Sequence, residues 1–335
     1  MAAIETVSVP FRSTQMFSES SRFGIRGSHF TNVSGDINIH PPVQGSPGSP
    51  PLNNRCPMPP SMAEGEDDDY SDCESYCTQL LRRGRGYPLY VPEPRSNLPA
   101  EYQRCGVSIG DVGRITDDGV FDFFFNIYLP SSHPINSVGV PDKFNPLELY
   151  EAVDLTRLHS SKKYVSTLLP LCGVSIRDVL RGLEFDCNGP TGAVLALPFG
   201  SQIVKLENLA AILEYIRQNA ASWYEYVRSP TGRGRPLSNG ALYLITGWEK
   251  TRVWGMASFR DLATHSYPFG ALFEPDIDAI PGAEHCNYSW TASGSAETKS
   301  LEPINFSVGE YTPLNQTVFV QGFSISLGTT IWEKF

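Results

Sequence analysis

GRITDDGVFDFFFNIYL, residues 113–129, sets two runs rich in β-formers on either side of Asp117, Asp118 and Gly119. Asp-Gly between such runs predicts a hairpin, because a primed turn needs residues that accept positive φ. In the second run Phe121, Phe123, Phe125, Ile127 and Leu129 fall on one side of an extended chain, and Val120, Asp122, Phe124, Asn126 and Tyr128 on the other. One side is wholly apolar and the other mixed, which predicts a sheet with one face on a core.

Further β-capable stretches lie C-terminal to this hairpin. SIRDVLRGLEFDC and GAVLALPFG flank Asn188 and Gly189, ALYLITGWEKTRVWGMASF is expected to turn back around Gly247 to Lys250, and TVFVQGFSISLG supplies a last strand with Phe319, Gln321, Phe323, Ile325 and Leu327 on one side. A short helix is expected within LELYEAVDLTRLH. The clearest helical signal is a long amphipathic helix, about 203–227, with Ser201 as a candidate cap. Leu206, Leu209, Leu213, Ile216, Ala220, Trp223 and Val227 recur at alternating spacings of three and four. A stripe of this kind docks on a sheet, so the fold class is α+β: a β-rich domain with antiparallel hairpins and one long helix.

Composition agrees with a β-rich chain, since 18 Phe, 15 Tyr, 29 Gly and 27 Pro favour strands and turns. The formal charge of −10 comes without a basic stripe, which speaks against nucleic acid as a partner. No apolar run reaches the length of a membrane span, and MAAIETVSVPFRS lacks the charged start and apolar core of a secretion signal. The chain therefore reads as cytoplasmic, with a membrane an unlikely partner.

Residues 1–86 are expected to be a largely disordered tail ahead of a single globular domain, 87–335. Residues 41–63 form a Pro/Gly/Ser linker and residues 64–76 an acidic block, with Ser71, Ser75 and Tyr76 as candidate phosphorylation positions. YPLYVPEPRSNLP, with prolines at 88, 92, 94 and 99, suits an extended strap over the domain. Within the tail, SRFGIRGSHFTNVSGDINIH at residues 21–40 is a short β-prone motif.

Catalytic patterns are sparse. None of the phosphate-loop, zincin or serine-hydrolase motifs occurs. The loop Gly232, Arg233, Gly234, Arg235 has glycines and cations suited to an anion, but it precedes a strand, so it reads as a connector. Cys73 and Cys77 lack a second ligand pair, and His285 and Cys286 are adjacent in sequence. Glu184 with Asp186, and Asp276 with Asp278, read as solvated carboxylates. No catalytic, cofactor-binding or metal residue is assigned, no cofactor is expected, and an enzyme is the less favoured reading.

The phrases YVPEPRSNLPAEYQRCGVSIGDVGRITDDGVFDFFFNIYLPSSHPIN, GAVLALPFGSQIVKLENL, NAASWYEYV, GALYLITGWEKTRVWGMASF and LNQTVFVQGFSISLG resemble, in order, a large family of uncharacterised proteins of mushroom-forming (agaricomycete) fungi. That resemblance implies no activity. The N-terminal segment resembles fungal amyloid-signalling motifs through Phe23, Ile25, Gly27, Phe30, Asn32, Val33, Gly35 and Asp36, and Ile37 and Ile39 extend its apolar pattern. The expected function is a non-enzymatic intracellular interaction or signalling protein that binds protein partners or itself through the tail. The alternatives are a membrane-active effector, loosely like gasdermin-type pore formers in element order, and an enzyme of unrecognised type.

Overall fold

The computed structural model describes residues 30–34, 72–166, 174–179, 182–187, 191–259, 269–276, 287–293, 296–302 and 313–333. In chain order its strands are β1 (Phe30–Ser34), β2 (Tyr87–Pro88), β3 (Asp111–Ile115), β4 (Phe121–Asn126), β5 (Leu155–Ser160), β6 (Tyr164–Ser166), β7 (Val174–Val179), β8 (Gly182–Cys187), β9 (Gly192–Ala196), β10 (Ser201–Leu206), β11 (Leu242–Thr251), β12 (Gly255–Phe259), β13 (Phe269–Pro275), β14 (Tyr288–Ser293), β15 (Glu297–Ser300) and β16 (Gln316–Ser326). The helices are α1 (Asp72–Leu81), α2 (Ala100–Cys105), α3 (Glu151–Asp154), α4 (Leu209–Arg228) and α5 (Thr329–Trp332). The described fold is β-rich, built from mainly antiparallel sheets with few helices and one long one, α4.

The two longest strands, β11 and β16, pair antiparallel at the centre of an eight-stranded sheet. Each has an outer edge divided between two neighbours. Along β11, Tyr243 and Leu244 pair with β3, while Gly247 to Lys250 pair with β10, which carries β5 beyond it. Along β16, Phe319 and Val320 pair with β2, and Gly322 to Ser326 pair in parallel with β1. The register slips between Ile245 and Gly247, so Gly247 to Lys250 lie inside a continuous strand rather than at a turn. The chain leaves β11 after Thr251, and β12 joins a different sheet, so ALYLITGWEKTRVWGMASF is no hairpin.

Asp117, Asp118 and Gly119 do close a hairpin between β3 and β4, but with three loop residues instead of a two-residue primed turn. Thr116 N–H donates to the Val120 carbonyl, Gly119 N–H donates to the Thr116 carbonyl, and Gly119 takes φ of 74°. Across this pair Val112 opposes Phe125 and Gly113 opposes Phe123, which leaves Phe124 as the extra residue of a bulge. The side-chain alternation therefore breaks. Phe121 and Phe123 join one core cluster, whereas Phe124, Phe125 and Ile127 join the other. The expected single apolar side is corrected: β4 is buried on both faces. The same holds for β16, where Phe319 lies in the first cluster and Phe323, Ile325 and Leu327 in the second.

Helix α4 begins at Leu209, six residues after the expected start near 203. Ser201 to Leu206 are instead β10, hydrogen-bonded on both sides, where the β-branched Ile203 and Val204 fit a pleated strand. The buried face of α4 is Ile212, Ile216, Ala220, Trp223, Tyr224 and Val227, so Leu209 is turned out. This face packs on Val112, Phe125, Val204, Leu242, Leu244, Phe323 and Ile325 of the main sheet.

The opposite side of the main sheet is covered by α1 and by a second sheet, β15-β12-β9-β6. A third sheet, β14-β13-β8-β7, packs behind the second through Leu183, Phe185, Val194, Ala196 and Phe273. β7 and β8 pair with each other, so SIRDVLRGLEFDC is itself a hairpin, and GAVLALPFG supplies β9 to the second sheet. The expected helix in LELYEAVDLTRLH is the single turn α3, followed directly by β5.

Helix α1 corrects the expected boundary at Tyr87. Cys73, Tyr76, Cys77 and Leu80 lie at helical spacing and are buried in the first core cluster, so the folded part includes residues 72–86 as well as the strap. The strap is extended as expected: Leu89 N–H donates to the Val318 carbonyl, and Tyr90 and Val91 N–H donate to the Gly119 carbonyl.

Candidate functional site

The feature that the β-prone N-terminal motif leads to is the outer edge of β16. Half of that edge is taken by the short strand β2, because Pro88 and the strap then carry the chain away. The remaining half, Gly322 to Ser326, pairs with β1 in the register Phe30–Gly322, Thr31–Phe323, Asn32–Ser324, Val33–Ile325 and Ser34–Ser326. A parallel pair needs a long connection, and here residues 35–315 lie between the two strands. Without β1 the outward backbone groups of this half would form an open edge, a template for strand addition. Gly322 is required there by space: a Cβ would sit 2.2 Å from the Leu244 carbonyl oxygen of the neighbouring strand. Of the motif residues, Phe30, Asn32 and Val33 lie in β1, whereas Phe23, Ile25, Gly27, Gly35, Asp36, Ile37 and Ile39 lie outside the described residues.

The junction between the two halves of the edge is fixed by charge. Gln321 donates from Nε2 to the Arg85 carbonyl at 2.8 Å, and the Arg85 side chain forms a two-pronged ion pair with Glu249, with Nε 2.9 Å from Oε2. Ser201 Oγ donates to the same carboxylate, and the guanidinium stands over the Phe319 ring. Glu249 is buried, so its charge depends on these partners.

Beside it on β11, Lys250 enters a second buried cluster. Its Nζ donates to the Cys105 carbonyl at 2.6 Å and lies 4.3 Å from the centre of the Trp248 ring. Asp111 receives Tyr102 Oη at 3.0 Å, Ser108 N–H at 2.7 Å and Asn126 Nδ2 at 2.8 Å. Burial pushes Asp111 up to about 7, against the opposing pull of Asn126, Ser108, Tyr102 and Lys250, and burial draws Lys250 down to about 8. With Asp111 fully enclosed and Lys250 only 3 % exposed, the cluster holds α2 and the start of β3 against β11, and its reactive atoms do not meet solvent.

A pH signature follows. Between pH 4 and 7 the unfolded chain has lost the Asp111 proton while the folded chain keeps it, so stability from this group falls as pH rises through that window. Between pH 8 and 10.5 the folded chain has lost the Lys250 proton first, so stability from that group rises with pH. The variant Asp111→Asn is expected to show a shallower fall in thermal midpoint from pH 4.5 to 7 than the parent chain, measured by circular dichroism.

Cys73 and Cys77 share the buried face of α1 as free thiols, with Cys77 Sγ donating to the Pro88 carbonyl at 3.3 Å, and Cys105 is also free. Burial and the neighbouring Cys73 push the Cys77 thiol well above its ordinary range, Cys73 contributing most. Tyr76 is fully buried, which removes it as an accessible phosphorylation position in the folded chain. Glu184 and Asp186 do share a strand side, where Arg177 bridges both at 2.9 Å. His285, Cys286 and Asp278 lie outside the described residues. Among the described residues no group of three or more His, Cys, Asp or Glu side chains is placed to hold a metal ion, and no helix is long and apolar enough to cross a membrane. No protein-family model matches the chain, and no curated protein sequence matches it.

The sequence reading missed α1, whose signal was present in the 73, 76, 77, 80 spacing but lay inside an acidic block. It also missed Asp111 and Lys250, which become neighbours only through the β3–β11 pairing.

Proposed function

We propose that this chain is a non-enzymatic interaction protein in which the segment 21–40 serves as a strand donor for the β16 edge. The observation that carries the reading is the parallel register of Phe30–Ser34 along Gly322–Ser326. In one molecule the donor covers its own edge, and the same edge accepts the same segment from a second copy when the first is displaced. The motif thus has two alternative homes of equal backbone chemistry, which supports self-association or recruitment as its use. We place the protein in the cytoplasm, a reading supported by the free thiols of Cys73, Cys77 and Cys105.

The test uses the full chain and the double variant Asn32→Pro/Val33→Pro: successive N–H groups of a strand point to opposite sides, so one of the two replaced donors faces β16 and the β1 ladder is broken. A fluorescent peptide of residues 21–40 is titrated into each. The variant is expected to bind at least about tenfold more tightly than the parent, whose edge is already occupied. Failure of the peptide to bind either chain would remove the strand-donor reading.

A further inference from the structure

Asp122 lies on β4 with its side chain 4 % exposed, and three arginines from three different segments converge on it. Arg95 of the strap approaches Oδ1 at 3.4 Å, Arg114 of β3 approaches Oδ2 through Nε at 3.1 Å, and Arg235 of the loop after α4 approaches Oδ2 through Nε at 3.6 Å. Arg114 also donates to the Pro236 carbonyl at 3.0 Å. Among the described residues no second carboxylate pairs with any of the three, and Arg235 Nε is buried without a hydrogen-bond partner. Asp117 and Asp118, at the tip of the same hairpin, are exposed and pair with none of them.

Three positive charges thus share one negative charge, and each guanidinium brings five donors to a cluster with few acceptors. The side chains of Arg95, Arg114 and Arg235 are 30 %, 24 % and 39 % exposed, so their unused donors reach the surface. The loop that carries Arg235 is open beside them: Gly234, at φ 59°, has space where a side chain would meet nothing within 4 Å. Its backbone amides are not available to a ligand. Those of Gly232 and Gly234 donate to the Ser229 carbonyl, and those of Arg233 and Arg235 donate to Tyr226 and Val227, capping the end of α4. Arg233 is likewise committed, to the Phe123 carbonyl and the Phe124 ring. Any anion here is met by guanidinium forks, not by a phosphate-loop backbone.

We propose that Arg95, Arg114 and Arg235, held in place by Asp122, form a binding site for a phosphoryl group. A dianion with several oxygens matches both the surplus of two positive charges and the planar forks better than a single carboxylate does. The group is inorganic phosphate or a phosphomonoester on a peptide, and the site is independent of the β1 edge.

The experiment titrates sodium phosphate, and separately an Ala-phosphoserine-Ala peptide, into the full chain at fixed ionic strength with chloride as control, read by calorimetry. Binding at about 1 mM or tighter is expected, with the peptide arm tighter if the natural ligand is a phosphorylated chain and the phosphate arm tighter if it is the free ion. The double variant Arg95→Gln/Arg235→Gln leaves the Arg114–Asp122 pair intact and is expected to bind at least tenfold more weakly. Arg235→Lys, which keeps charge and loses the fork, is expected to fall between. Phosphate heat indistinguishable from chloride in the parent chain, or equal binding by Arg235→Lys and the double variant to that of the parent, would overturn the proposal.

Discussion

Replacing Arg85 with alanine is expected to lower stability by about 3–5 kcal/mol, because it strands a buried charge. Glu249 lies on the central strand β11, and after the change only Ser201 Oγ would remain of its charge-stabilising contacts described above. Arg85 itself is 17 % exposed at its side chain, against 3 % for Glu249, so the two halves of the pair are not equivalent. Glu249→Ala leaves a guanidinium that can turn toward water and is expected to cost less than Arg85→Ala. The double variant Arg85→Met/Glu249→Met removes both charges and keeps the volume, and it should recover most of the loss. Urea unfolding of the four chains measures all of this, and a loss under about 1 kcal/mol for Arg85→Ala would show that Glu249 finds other solvation.

Trp223→Ala is expected to have an effect of similar size on the opposite face. Trp223 is among the largest fully buried side chains, with its ring 5.6 Å from that of Phe125 in an edge contact and 5.8 Å from that of Tyr215. Removing it opens a cavity between α4 and the main sheet, at about 3–5 kcal/mol for an aromatic-to-alanine change in a core. Leu209→Ala, at a position the heptad-like spacing assigns to the same stripe but the fold turns outward, should cost well under 1 kcal/mol. The contrast in urea midpoints between these two variants checks the helical phase directly.

That phase shows how far the sequence could be read. The hairpin at Asp117 to Gly119 was legible because turn chemistry is local and a glycine with positive φ is hard to replace. The bulge at Phe124 was not, since an extra residue is hidden when every position of β4 is buried on one face or the other. Ser201 to Leu206 carried apolar residues at helical spacing, yet two flanking strands claimed them, and tertiary pairing outweighed the local pattern. The β-prone motif was visible as β-capable and was read as part of a largely disordered tail ahead of the domain, while Phe30–Ser34 pairs with the last strand of the same chain. Separation along the chain is a weak guide when loop closure grows costlier only slowly with length. The arginine cluster on Asp122 was illegible for the same reason as Asp111 and Lys250: its members come from segments that only the fold brings together.

The central claim is that Phe30–Ser34 covers the Gly322–Ser326 half of the β16 edge, and amide hydrogen exchange read by mass spectrometry tests it most directly. In the full chain both halves of the edge should be protected. In Asn32→Pro/Val33→Pro, which removes a ladder donor of β1 whichever of the two faces β16, exchange should quicken over Gly322–Ser326 and stay unchanged over Phe319–Val320, which β2 still covers. Equal exchange over Gly322–Ser326 in the two chains would contradict the claim.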